Sequence, residues 1–147
     1  MPRRSEINDP LEYNAATIDE FRARGGQVTG DFEGRPVLLL TTTGRRSGVQ
    51  RTSPLIYTMD GDNYVVTAAA GGAPKHPLWY LNLVTNPHVT VEVGSEAFEA
   101  TALEPEGAER DRLFAERCTA TPNFKLYQDK TERRIPIIVL ERRSEPS

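Results

Sequence analysis

Cysteine occurs once in these 147 residues, as Cys118, and histidine only twice, as His76 and His88. A lone thiol excludes an internal disulfide and makes the cytoplasm the expected location. With so few cysteines and histidines, a structural zinc site is not expected either. Long apolar runs are also missing. None exceeds the four residues of Val37–Leu40, against the roughly 20 that a membrane span requires. The opening MPRRSEINDP is basic but has no apolar stretch behind it, so no secretory signal is read. Repeats, low-complexity tracts and linkers are absent. The expectation is one domain over residues 1–147, with an N-terminal helix and lead-in (1–30) and a core (34–141).

Acids are missing from one half of the chain. Between Gly34 and Val91 the only ones are Asp60 and Asp62, while Arg35, Arg45, Arg46, Arg51 and Lys75 lie in the same span. The net charge is −3, so an acidic protein carries one acid-poor stretch whose field attracts an anion. The abundance of arginine, fifteen against three lysines, accounts for the guanidinium groups there but not for the missing carboxylates. A nucleic acid is a poor candidate for that anion. The chain is acidic overall, and its aromatic residues do not alternate with the basic cluster.

What is present reads mainly as strands. The spacing of Ile18 and Phe21 in NAATIDEFRAR predicts a short amphipathic helix over Asn14–Arg24, stopped by Gly25-Gly26. Its apolar face suits its own core, with a peripheral membrane contact as the alternative. PVLLLTT (36–42) reads as a strand buried on both faces. TSPLIYTM (52–59) and NYVVTAA (63–69) read as a hairpin about Asp60-Gly61-Asp62, with Pro54 marking an edge or a bulge. After GGAPKH, Pro77 suits the first turn of a helix LWYLNLVTN. Val89, Val91 and Val93 alternate with polar residues, and 96–103 alternates again. PEGAERDRLFAERC (105–118) predicts a helix with Leu113, Phe114 and Cys118 inward; Thr119–Arg133 reads as irregular, and IPIIVL (135–140) as a last strand. Six strands and three helices of this kind predict an α+β protein, a small β-barrel dressed by helices.

Two stretches carry chemistry. In TTTGRRSGVQRTSP (41–54), Gly44 and Gly48 permit positive φ and a backbone that turns its N–H groups outward. Ser47 and the threonines add hydroxyls, and Arg45, Arg46 and Arg51 add forks shaped for phosphate or carboxylate. On composition alone, a phosphate cradle and an arginine-decorated connection fit equally. In AAAGGAPKHPLWYLNL (68–83), the alanines and glycines leave a surface on which a flat ring can lie. Trp79, Tyr80 and Asn82 follow on the first turns of a helix. No Ser-His-Asp order, close carboxylate pair or metal-ligand spacing is found, so any chemistry is expected from a bound cofactor.

The stretches LLLTTTGRRSGVQRTSPLIY, DGDNYVVTAAAGG and HPLWYLNLVTNPHVTVEV resemble the deazaflavin-dependent nitroreductase family, and the likeness runs from IDEFRARGG to IPIIVLE. The resemblance implies a split β-barrel related to the pyridoxamine-phosphate oxidase fold, using coenzyme F420 in place of FMN. It assigns the cofactor's phosphate to Arg45, Arg46, Ser47 and Arg51. It lays Thr52, Ser53, Pro54, Leu55 and Ile56 against the ring, with Thr67, Ala68, Ala69 and Ala70 bordering it. It closes the pocket with Leu78, Trp79, Tyr80, Leu81 and Asn82. Phe124 and Tyr127 would face the substrate, with Tyr127 the candidate catalytic proton donor and Tyr57 or Tyr80 the alternatives. Arg35 and Lys75 would meet the cofactor's tail. The implied reaction moves a hydride to an electron-poor small molecule: a quinone, an activated enone or a nitroaromatic. FMN or haem on the same barrel, or a non-catalytic F420 carrier, are the alternatives, and a homodimer is compatible with the fold. Family members that activate nitroimidazoles carry Ser-Lys where this chain has Ala69-Ala70, and Thr121 or Phe124 replaces an expected tyrosine.

Overall fold

A computed structural model describes residues 10–69 and 75–143, the side chains of 10–13 and 31 excepted. The first element is helix α1 (Pro10–Ala23), which begins before the expected Asn14 and ends at Gly25 and Gly26, whose φ angles are +64° and +95°. A one-turn 3-10 helix (Gly30–Phe32) leads into strand β1 (Val37–Thr43). Then come β2 (Gln50–Ile56), β3 (Thr58–Asp60), β4 (Asn63–Thr67) and helix α2 (Leu78–Thr85). They are followed by β5 (His88–Val93), β6 (Glu96–Leu103), α3 (Gly107–Ala120), α4 (Asn123–Asp129) and β7 (Ile137–Arg142).

The seven strands form one antiparallel sheet in the order β2-β1-β5-β6-β7-β4-β3. Its two edges, β2 and β3, are separated in the chain by Tyr57 alone. A single residue reaches only a few ångströms, so the sheet must curl until its edges nearly meet. The result is the expected split barrel. The extra strand arises because Thr52–Met59 is not one strand. It breaks at Tyr57, its first part pairing with β1 and its last part with β4. Pro54 lies on an edge strand, opposite Leu39, as its missing N–H requires. The fourth helix corrects the irregular reading of Thr119–Arg133. α4 is short and without a side-chain cap, held by packing of Phe124 and Tyr127 against Ala69 and Ile135 rather than by local signals.

The strand patterns follow from what lies on each face. Leu38 and Leu40 point into the barrel with Val66, Val91, Ile138 and Leu140. The alternate residues Val37 and Leu39 meet Phe21 and Val28 outside it. β7 repeats this arrangement, with Ile137 and Val139 turned toward Leu113 of α3. Strands covered on both faces therefore read as apolar runs, whereas β5 and β6 alternate because one of their faces meets solvent. On α3 the buried positions include Arg110 and Arg117 beside Leu113, while Phe114 and Cys118, expected inward, are half-buried.

The C-terminal end of α1 is clamped to the barrel. Arg22 donates two bonds to Glu92 of β5, at 3.1 and 2.9 Å. The Glu20 carboxylate accepts from the amide and hydroxyl of Thr29. A Cβ on Gly26 would stand 2.8 Å from the Cα of Gly94 in the β5–β6 turn. Gly61 also has a positive φ, +62°, but open space around it. Gly26→Ala is therefore expected to cost about 3 kcal/mol from left-handed strain and overlap, and Gly61→Ala about 1 kcal/mol. Urea unfolding of the two variants measures the difference. Equal losses would mean that the helix end does not bear on that turn.

Candidate functional site

The loop that leaves β1 is closed on itself. Gly44 N–H donates to the Val49 carbonyl at 2.8 Å, and Gly48 N–H to the Gly44 carbonyl at 2.9 Å. Gly48 takes the left-handed φ of +72°. Gly44 does not. A Cβ there would lie 2.6 Å from Ser47 Oγ and 3.1 Å from the Val49 carbonyl oxygen, so a larger residue would have to displace the Ser47 side chain and crowd that carbonyl. Ser47 Oγ itself accepts from Val49 N–H at 3.1 Å. The amides of Arg46 and Ser47 have no acceptor among the described residues. Two successive free N–H groups in a tight turn form an anion-binding concavity.

Asn82 of α2 fixes this loop to the barrel. Its side chain is 6% exposed. Its Oδ1 accepts from Arg45 N–H at 3.1 Å, and its Nδ2 donates to Thr42 Oγ1 at 3.3 Å. α2 holds it there by packing Leu83 into the barrel, and Pro77 caps the helix from outside its first turn. Asn82 is thus a buried amide satisfied by groups of the loop and strand it anchors.

Beside the loop lies a cleft of about 380 Å³. Thr42 and Gln50–Ser53 form one wall, Leu78, Trp79 and Asn82 the other, and Asn14, Ala15 and Ile18 of α1 close over it. Arg51, Thr52, Ser53, Leu78, Trp79 and Asn82 are thereby brought together. Arg45 and Arg46 stand exposed on the adjoining loop. Neither their guanidinium groups nor that of Arg51 has a hydrogen-bond or ion partner among the described residues. Several other exposed arginines are paired, Arg22 with Glu92, Arg112 with Asp60, Glu109 and Glu116, and Arg134 with Asp111. One wall of the cleft is therefore cationic and hydroxyl-lined, and the other is apolar.

The remaining residues singled out from the sequence do not line this cleft. Pro54 is buried, Leu55 packs on the barrel core, and Ile56 on the α1 side. Thr67 Oγ1 accepts from buried Arg117 at 2.8 Å. Ala68 and Ala69 are buried, and their carbonyls accept from Arg133 at 3.1 and 2.6 Å; Ala70 lies outside the described residues. Tyr80 donates to Glu104 at 2.7 Å, and burial with that bond pushes its phenol far above the ordinary range. Its ring lies 4.7 Å from that of His76. Burial, reinforced by Arg133, lowers the pKa of His76. Leu81 is half-buried. Tyr57 sits edge-on to Tyr64 at 5.2 Å, and burial raises its pKa. Phe124 is buried against Ala69 and Ile135, with Tyr127 edge-on to it at 6.2 Å. Arg35 lies before the opposite end of β1 from the loop, on the order of 25 Å away along the strand.

Sequence reasoning missed the α1 wall and the buried arginines. Asn14 marked the helix start when it is an interior position, and Ile18 was assigned to the core face alone. Arg110, Leu113 and Arg117 share one helical stripe by their i, i+3, i+7 spacing. An arginine at two positions of a core stripe was the available signal.

A family model described as F420H(2)-dependent quinone reductase matches residues 15–142. The F420H(2)-dependent quinone reductase Rv1261c of Mycobacterium tuberculosis is 39% identical over 127 residues, covering 84% of this chain and 85% of that protein. Among solved structures, an F420-H2 dependent reductase (FDR-A) superposes with a TM-score of 0.67 at 42% identity, over 73% of this chain and 95% of that one. A structure described as a domain-swapped dimer superposes with a TM-score of 0.69 at 34% identity, over 90% of this chain and 100% of that one.

Asn82→Leu keeps the volume and strips both hydrogen bonds, leaving Arg45 N–H and the Thr42 hydroxyl unpaired. The expected loss is about 2–3 kcal/mol in urea unfolding, with hydrogen exchange of the Gly44 and Gly48 amides accelerated beyond that of the barrel. Unchanged protection of those two amides would show that the loop holds itself.

Proposed function

Because the chain belongs to the F420H(2)-dependent quinone reductase family, we propose that it binds reduced F420 by its phosphate on loop 44–51 and passes a hydride to a quinone. Activated enones and nitroaromatics are further electron-poor acceptors of the same chemistry. The observation that carries this reading is the set of three unpartnered, exposed arginines on a loop pinned by a buried amide, beside a half-apolar cleft.

The residues present fit the cofactor. Arg45, Arg46 and Arg51 match a phosphate in charge and fork geometry, and the free amides of Arg46 and Ser47 add donors. Ile18, Leu78 and Trp79 supply an apolar wall against which a flat ring excludes water. Bound F420H2 supplies the hydride. The chain's own part is to hold the ring, keep water from it and deliver a proton. Tyr127, whose hydroxyl has no partner among the described residues, is the proposed donor of the proton that a quinone oxygen takes with the hydride. Phe124 packs edge-on against its ring. Tyr80, engaged with Glu104, is a poorer donor.

The Ala69-Ala70 departure supports quinones over nitroimidazoles as acceptors, since it omits the hydroxyl and the cation of the prodrug-activating members. A homodimer is proposed on the likeness to the domain-swapped dimer. No helix among the described residues is long and apolar enough to cross a membrane. In α1, Phe21 is buried and Ile18 packs beside it, so its apolar face is used on the barrel and favours a cytoplasmic enzyme.

Side-by-side equilibrium titrations with F420 and FMN test the proposal. F420 is expected to bind, and Arg46→Ala and Arg51→Ala are each expected to weaken it roughly tenfold or more while reducing its salt sensitivity. Oxidation of F420H2 by a quinone completes the test. Binding of FMN without F420 would contradict the assignment, and F420 binding without turnover on any acceptor would make the protein a carrier.

A further inference from the structure

Arg117 is among the most deeply buried residues of the chain, at 1% exposure. Its Nε donates to Thr67 Oγ1 at 2.8 Å, and one terminal nitrogen donates to the Ile56 carbonyl at 2.8 Å. Its guanidinium lies 4.7 Å over the Phe124 ring. The other terminal nitrogen is buried without an acceptor, and no carboxylate pairs with the group among the described residues. Buried Arg110 on the same helix face differs, for Asp111 stands beside it. Burial lowers the pKa of Arg117 to about 10, which leaves it charged at neutral pH.

Stability alone does not explain such a residue. An uncompensated buried cation is costly, and a neutral amide would serve to tie a carbonyl to a hydroxyl. Its position is informative. Ile56 ends β2, whose residues Thr52 and Ser53 line the cleft, and Thr67 ends β4, just before Ala68 and Ala69. The guanidinium therefore ties the end of the edge strand β2 to the end of β4, the strand that carries the other edge, β3. The family resemblance lays those same segments along the cofactor ring.

We propose that Arg117 is a positioning residue for the deazaflavin ring, fixing the separation of β2 and β4 and supplying the positive potential that holds the ring in its anionic form. The inference rests on the F420 reading above. The oxidised ring of F420, the form left after hydride transfer, carries an 8-hydroxyl conjugated with its carbonyls, so loss of that proton to solvent spreads a negative charge over the ring. A cation shielded from water acts on such a charge over several ångströms.

The test is an absorbance titration of the 8-hydroxyl in protein-bound oxidised F420, with thermal unfolding of the cofactor-free protein alongside. Arg117→Gln removes the charge but keeps a donor in the tie, Arg117→Met removes both, and Arg110→Gln removes the other buried arginine of the same helix, which donates to the Ile135 carbonyl. The expected midpoint rises by about one pH unit in Arg117→Gln and Arg117→Met. In Arg110→Gln it stays at the wild-type value, although the cofactor-free protein melts lower. Should Arg117→Met not fold, Arg117→Gln decides. A midpoint unmoved in bound Arg117→Gln overturns the proposal and leaves the F420 assignment standing, as does an equal rise in Arg110→Gln. Failure of the wild-type protein to bind F420 overturns both.

Discussion

One residue, Tyr57, stands between the two edges of a seven-stranded sheet, and the rest of the molecule is arranged around that constraint. A chain that leaves one edge and enters the other within a single residue cannot serve an open sheet. The curl it enforces creates an inside for Leu38, Leu40, Val66 and Ile138 and an outside that α1 and α3 must cover. It also leaves β2 partnered on one side only, with its other side available to a ligand. The cleft lies along that strand, roofed by α1 and floored by α2. Arg117 ties the end of β2 to the end of β4, the neighbour of the other edge, and Asn82 fixes the loop at the far end of β2.

Arginine does three different jobs on this frame. At many surface positions it is paired with carboxylates, as in the cluster of Arg112 with Asp60, Glu109 and Glu116, where each exposed pair adds little. Buried or half-buried, it ties down backbone, as Arg117 does at the Ile56 carbonyl and Arg133 at the carbonyls of Ala68 and Ala69. On loop 44–51 it is neither buried nor paired. Exposed cations without carboxylates repel one another, so the loop is held by Asn82 and by glycine geometry rather than by its own charges. Adding an anion removes that repulsion, which makes a phosphate the natural complement.

Much of this was legible in the sequence, for reasons that can be named. Val37–Leu40 and the alternation of Val89, Val91 and Val93 encode directly how many faces of a strand are covered. Gly25-Gly26 stops α1 as a glycine pair should, and the absence of acids near Arg45, Arg46 and Arg51 is what points to the anion site proposed there. What was not legible depends on distant partners. The break at Tyr57 has no local signal, because only the curled sheet decides that Thr58 pairs with Val65 while Ile56 pairs with Val37. α4 has no capping residue and forms because Phe124 and Tyr127 find Ala69 and Ile135. Asn14 and Ile18 face the cleft only because Gly26 and Arg22 pin the other end of α1 to the β5–β6 hairpin.

The central claim is that the unpaired arginines of loop 44–51 hold the cofactor by its phosphate. Its most direct test compares F420 with the same deazaflavin ring carrying a bare ribityl chain, titrated against the wild-type protein at low and high salt. The account predicts that F420 binds roughly a hundredfold tighter at low salt, as expected for a few charge-assisted bonds. It also predicts that the difference shrinks as salt rises, while binding of the bare compound barely changes. Equal affinities for the two compounds at low salt would contradict it.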